Sequence, residues 1–102
     1  MIQCIHDALE GIYLDPIQED IPRIIHIQCI FFSGDTISFR ISQCGMIYRY
    51  YVYDGNVSID HANAAAVIAE IKRSLYKISF ITIKYSDKSR VEFDLSDHKV
   101  GH

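Results

Sequence analysis

The sequence predicts a single α+β domain in which helices pack on one five-stranded, mainly antiparallel sheet, in the order α-β-β-β-α-β-β. Three observations carry this. Residues 24–53 read as three successive strands joined by short loops. An apolar stripe at helical spacing runs through residues 61–77, and two further strand-like segments follow it. At 102 residues the chain has the length of one domain, 1–102. It can enclose a core without the metal or disulfide staples that become usual only below ~40 residues.

Residues 2–14 place Ile2, Ile5, Leu9, Ile12 and Tyr13 at spacings of three and four, which is one face of a helix. Residues 15–22 are acidic and hold Pro16 and Pro22. Proline removes a donor and biases its predecessor away from helix, so this is a connecting loop. Residues 24–32 are nearly all apolar and Ile-rich, a strand buried on at least one face. Residues 36–43 alternate cleanly, with Ile37, Phe39 and Ile41 to one side. Residues 46–53 form the third strand and Asp54-Gly55-Asn56 a turn. Asp60 stands where its carboxylate can cap a helix over 61–77, whose stripe is Ala64, Val67, Ile68, Ile71 and Leu75. Strands at 78–85 and 90–95 flank a turn at 86–89, and the polar residues 96–102 form a frayed tail.

Strand parity decides which side chains share a face, because a one-residue slip swaps them all. A two-residue loop at Cys44-Gly45 pairs Ile41 with Tyr48, Phe39 with Tyr50 and Ile37 with Val52, and that face is the expected core. The opposite face then sets Arg40 beside Arg49. A three-residue loop at Ser33-Gly34-Asp35, with a left-handed residue and a bulge, sends Ile25, Ile27, Cys29 and Phe31 into the same core. An even loop would bury His26 and Gln28 instead, with the desolvation that polar groups suffer. The outer face accordingly gathers Ile24, His26, Gln28, Ile30, Phe32, Arg40, Arg49, Tyr51 and Tyr53. Interfaces are enriched in Tyr, Phe and Arg and depleted in Lys and carboxylates. Phe32, Arg40, Arg49, Tyr51 and Tyr53 are therefore the candidate partner-binding residues. The competing readings of this face are that the N-terminal helix covers it, or that two copies meet there in a symmetric homodimer.

Chemistry is sparse. Ten Lys and Arg against thirteen Asp and Glu give a net charge of −3, with no clustered positive charge of the kind phosphate neutralisation needs. The aromatic and Arg side chains of one sheet face still suit single-stranded nucleic acid in outline, but no RNP-like motif accompanies them. Cys4, Cys29 and Cys44 are odd in number and form no C-x-x-C, which predicts reduced thiols and a cytoplasmic setting. His6, Asp7 and Glu10 interrupt the run a signal peptide needs, and nothing approaches 18 apolar residues in a row, so no membrane span is expected. His26 and Cys29 fall on opposite faces of a strand, and Cys4 and His6 stand about 200° apart around a helix, so neither pair chelates zinc. No P-loop, dinucleotide fingerprint or nucleophile elbow is present, so neither enzyme activity nor a cofactor is expected.

The order α-β-β-β-α-β-β is similar to that of small acidic dimeric secretion chaperones of the type III class, and is broadly compatible with toxin-immunity proteins and phage-encoded inhibitors. The resemblance implies a small non-catalytic domain that acts by binding another protein. An inhibitor or immunity-type module is the first functional expectation, a secretion-chaperone-like dimer the second, and a single-stranded nucleic-acid-binding domain the third.

Overall fold

The loops of this protein set its architecture. The computed structural model describes residues 2–13 and 21–98. Helix α1 spans Ile2–Leu9 and tightens into a 3-10 turn over Glu10–Tyr13; strands β1 (Ile24–Phe31), β2 (Thr36–Ile41), β3 (Ile47–Tyr53) and β4 (Asn56–Ala62) follow. Helix α2 (Ala64–Ser74) and a 3-10 turn lead into β5 (Ile78–Tyr85) and β6 (Arg90–Asp94). The sheet has six strands in the order β4-β3-β2-β1-β5-β6, with every neighbouring pair antiparallel. The α+β class and the antiparallel sheet are as expected. The five-stranded count and the element order are not.

The strand missing from the expected order is β4. Asp54 and Gly55 both have positive φ, 50° and 80°, and Tyr53 pairs directly with Asn56. That is the two-residue hairpin whose geometry Asp-Gly favours, and a hairpin requires a returning strand. Asp60 lies within that strand, opposite Arg49, and does not cap the helix. The N-cap of α2 is Asn63, whose side-chain oxygen accepts from the Ala66 N–H at 2.8 Å.

The other three hairpins share one different loop. Phe31 N–H donates to the Asp35 carbonyl and Gly34 N–H to the Phe31 carbonyl, both at 2.9 Å, with Gly34 at φ 93°. The same pattern recurs with Ser42, Gly45 and Met46, where Gly45 has φ 89°, and with Tyr85, Lys88 and Ser89, where Lys88 has φ 73°. Each is a three-residue loop ending on a left-handed residue. The expected odd parity of the first hairpin holds, although its loop begins one residue earlier, at Phe32. The second hairpin is odd as well, so the expected two-residue loop at Cys44-Gly45 is corrected. A two-residue turn with glycine second needs φ > 0 at the first position too, which Cys44 resists and Asp54 tolerates.

With that correction β3 turns over. Phe39 faces Arg49, Ile37 faces Tyr51 and Ile41 faces Ile47. Arg49, Tyr51 and Tyr53 therefore stand on the core side of the sheet, while Tyr48, Tyr50 and Val52, the expected core residues, stand on the other. Arg40 is not beside Arg49; its neighbour on β3 is Tyr48. A bulge between Ile24 and His26 further places Ile24 in the core where Ile25 was expected.

Both helices cover the same face. Ile5 and Leu9 of α1 and Val67 and Ile71 of α2 join Phe39, Ile27 and Ile81 in one buried cluster. Of the expected helical stripe, Ile5 and Leu9 are buried and Ile12 packs against the core, whereas Ile2 stays exposed. Leu95 returns to the core, and Ser96–His98 form a 3-10 turn where a frayed tail was expected. The expected loop over 15–22 and the last residues of the tail lie largely outside the described residues. On the far face, among the described residues, no sheet side chain is fully buried.

Replacing Asn63 with alanine leaves the first turn of α2 uncapped and should lower stability by about 1 kcal/mol. Urea denaturation reads this directly, and an unchanged midpoint would return the cap to another residue.

Candidate functional site

The five residues selected from the sequence divide between the two faces. Phe32, Tyr51 and Tyr53 line one open cleft of about 430 Å³ on the helix side, with Glu70, Ser74 and Lys77 on its other wall. Phe32 N–H is tied to the Lys77 carbonyl at 3.0 Å, and the Lys77 ammonium lies 5.4 Å from the Phe31 ring centre. Tyr53, at the end of β3, is 70% exposed. Arg49 adjoins this group through Tyr51, whose ring centre is 5.2 Å from its guanidinium carbon. Arg40 is on the opposite face, exposed and apart from the other four.

Arg49 and Tyr51 are occupied internally. The Arg49 guanidinium forks onto Asp60, donating from Nε and Nη2 at 2.8 and 2.7 Å, and donates from Nη1 to Glu70 at 3.0 Å. The Tyr51 hydroxyl donates to the second Glu70 oxygen at 2.9 Å. One carboxylate of α2 is thereby fastened to β3, and β3 to β4. The Arg49 and Glu70 side chains are only 20% and 18% exposed, so this one ion pair is worth on the order of 1 kcal/mol after solvent screening. The Asp60 carboxyl is held below its usual range chiefly by the hydrogen bond from Arg49. Tyr51 is pushed up to about 12, first by burial and then by its bond to Glu70.

The far face, which no described helix covers, is ordered in three rows, read across from β4 to β6. The first is His61, Tyr48, Arg40, His26, Lys84 and Arg90; the second is Ile59, Tyr50, Ser38, Gln28, Thr82 and Glu92; the third is Val57, Val52, Thr36, Ile30, Phe80 and Asp94. The first row is basic, the second mostly hydrogen-bonding, and the third mostly apolar. Tyr48 and His61 touch, with ring centres 4.8 Å apart. No family model, characterised protein or solved structure matches this chain.

The two edges of the sheet are unequal. β6 carries Arg90, Glu92 and Asp94 on its outer side, with Arg90 and Glu92 paired at 2.9 Å. Charges of this kind are the usual protection against stray strand pairing. β4 has seven residues, Asn-Val-Ser-Ile-Asp-His-Ala, without lysine or proline. Val57 and Ile59 are 64% and 60% exposed, and the one carboxylate, Asp60, is drawn to Arg49. Sequence reasoning missed this edge because β4 itself was missed. The Asp54-Gly55 turn was the signal that could have found it.

Among the described residues, no three His, Cys, Asp or Glu side chains converge, and His26 and Cys29 stand on opposite faces of β1 as strand parity requires. Cys29 is buried, its thiol pushed up to about 12 by that burial. Cys44 is exposed, lowered by the Ser42 hydroxyl 3.1 Å away. Among the described residues no helix is long and apolar enough to cross a membrane.

A tyrosine whose folded pKa is raised contributes stability that is complete below its unfolded value near 10 and is lost as pH climbs through about 12. Wild-type protein should lose melting temperature over that window more steeply than Tyr51→Phe. Cys29 adds a loss of the same sign to both proteins, so the difference between the two curves isolates Tyr51. Parallel curves would mean the hydroxyl is not held as described.

Proposed function

We propose that this chain is a non-catalytic protein-binding domain that engages its partner by adding a strand at β4, in the manner of an inhibitor-type module. The observation that supports it most is the contrast between the two sheet edges. Strand addition takes its affinity from main-chain hydrogen bonds and its specificity from alternate side chains. Since Tyr53 and Asn56 close a two-residue hairpin, the alternation of an antiparallel ladder turns the N–H and C=O groups of Val57, Ile59 and His61 toward the free edge. The exposed side chains of Val57 and Ile59 flank that edge and continue into Val52 and Tyr50 on β3. The candidate set shifts accordingly, from Arg49 and Tyr51, which serve the fold, to Val57 and Ile59. The element order behind the chaperone and immunity-protein analogy is not the one found, so the proposal stands on the edge alone.

A second reading, a homodimer, draws on the self-complementarity of the same strand. Two-fold antiparallel pairing centred on Ile59 sets Ile59 against its own copy, Val57 against His61 and Ser58 against Asp60. Like charges never meet in that register, which is what an isologous contact requires.

Lysine at Ile59 is accommodated in the free chain, where exposed substitutions usually stay within ±0.5 kcal/mol, and should block pairing. Capture from host lysate with wild type, Ile59→Lys and Glu92→Lys, each checked for an unchanged melting temperature, tests the edge. The expected result is partners held by wild type and Glu92→Lys and lost by Ile59→Lys. Retention by all three removes β4 as the site. Light scattering on the same proteins separates the readings, since a dimer abolished by Ile59→Lys makes the partner a second copy.

A further inference from the structure

The first row of the open face sets Arg40, His26 and Lys84 directly opposite one another on β2, β1 and β5. They line a shallow depression of about 490 Å³ that also takes in Arg23, Gln43 and Tyr48. Adjacent strands lie ~4.8 Å apart, so two long cationic side chains bracket one imidazole, with a third cation beside them. Among the described residues no carboxylate lines this depression, and none forms an ion pair with Arg23, Arg40 or Lys84. The chain has thirteen carboxylates and a net charge of −3, so this local excess of positive charge runs against its composition.

Like charges placed opposite each other destabilise a sheet, so Arg40 and Lys84 oppose a positive charge on the ring between them. His26 registers the strain: burial, then Lys84 and Arg40, lower its pKa, which favours the neutral ring. Arg23 is held in place, its Nη1 donating to the Ser42 carbonyl at 3.2 Å and its backbone N–H to the Ser86 hydroxyl at 3.0 Å. A guanidinium has five N–H donors, and among the described residues only the Ser42 carbonyl takes one of them.

We propose that this depression is a phosphate-binding site, in which Arg23, Arg40 and Lys84 receive one dianionic phosphate group and His26 supplies a further donor. Three permanent cations match a dianion better than the single charge of a carboxylate, and guanidinium and ammonium donors suit its oxygens. Inorganic phosphate, a mononucleotide and a phosphorylated peptide all carry this group. The site lies across the face from the Val57 and Val52 row and does not depend on what β4 binds.

The test is a titration of the isotopically labelled protein with inorganic phosphate at constant ionic strength, following the His26 ring by NMR, with sulfate as a second probe that stays dianionic across the pH range. The expected result is a saturable shift accompanied by a rise in the His26 pKa, because the anion offsets Arg40 and Lys84. Arg40→Gln and Lys84→Gln should each weaken binding roughly tenfold, the usual effect of losing a hydrogen bond to a charged group. Without phosphate, both should melt close to the wild-type temperature, since both side chains are exposed. Tighter binding of phosphoserine peptide or of mononucleotide than of inorganic phosphate supports the site and names the source. Shifts that chloride reproduces, or that survive both substitutions, overturn it. So does steeply salt-dependent binding of an oligonucleotide by a protein that ignores phosphate monoesters, which would make the row a nucleic-acid surface.

Discussion

A left-handed residue at the third position of a three-residue loop fixes which side of the sheet most of this chain occupies. Gly34 and Gly45 adopt that conformation without a Cβ to oppose it, and Lys88 adopts it with one. Because side chains alternate with period two, the odd loop length puts Phe39, Arg49 and Tyr51 under α2 and leaves Tyr48 and Tyr50 outside. Shortening the Gln43-Cys44-Gly45 loop by one residue would reverse β3 and β4 together. The Arg49 network would then face solvent, and two tyrosines would press into a space shaped for α2. The loops thus decide the chemistry of both faces.

The β3–β4 hairpin shows what happens where apolar burial runs out. The helix-facing side of β4 offers Asn56, Ser58, Asp60 and Ala62, too little apolar area to dock against a helix by exclusion of water. Charge does it instead. Arg49 holds Asp60 on its own sheet and Glu70 on α2, and Tyr51 closes the ring. A planar fork with donors on both sides is the side chain suited to such a junction, and lysine could not make the same set of bonds. This is why a residue that reads from the sequence as an interface arginine is spent within the fold.

Much of the architecture was legible from periodicity. Ile37, Phe39 and Ile41 declare their face without ambiguity, and α2 is written in Val67, Ile68 and Ile71. The largest failures trace to two local decisions. Asp60 before an alanine-rich run is a plausible helix cap, and that reading erased a strand that the Asp54-Gly55 turn demanded. Cys44-Gly45 resembles a two-residue turn, although only Asn, Asp or Gly tolerates its first position well. One wrong loop length then moved Arg49, Tyr51 and Tyr53 to the wrong face, which is why four of the five selected residues adjoin one another while Arg40 stands alone. The tertiary pairing of Arg49 with Glu70, 21 residues away, has no sequence signature.

The inequality of the two sheet edges limits how the domain can assemble. With a strand added at β4 as proposed, and β6 protected by its charges, the domain would have a valence of one. Pairing two copies through β4 leaves a β6 at each outer margin, and the sheet stops growing there. A single foreign strand at β4 ends in the same way as far as this domain is concerned. An open edge of this kind therefore carries little of the fibre-forming hazard that two such edges would bring, because growth in one direction is closed by the first event.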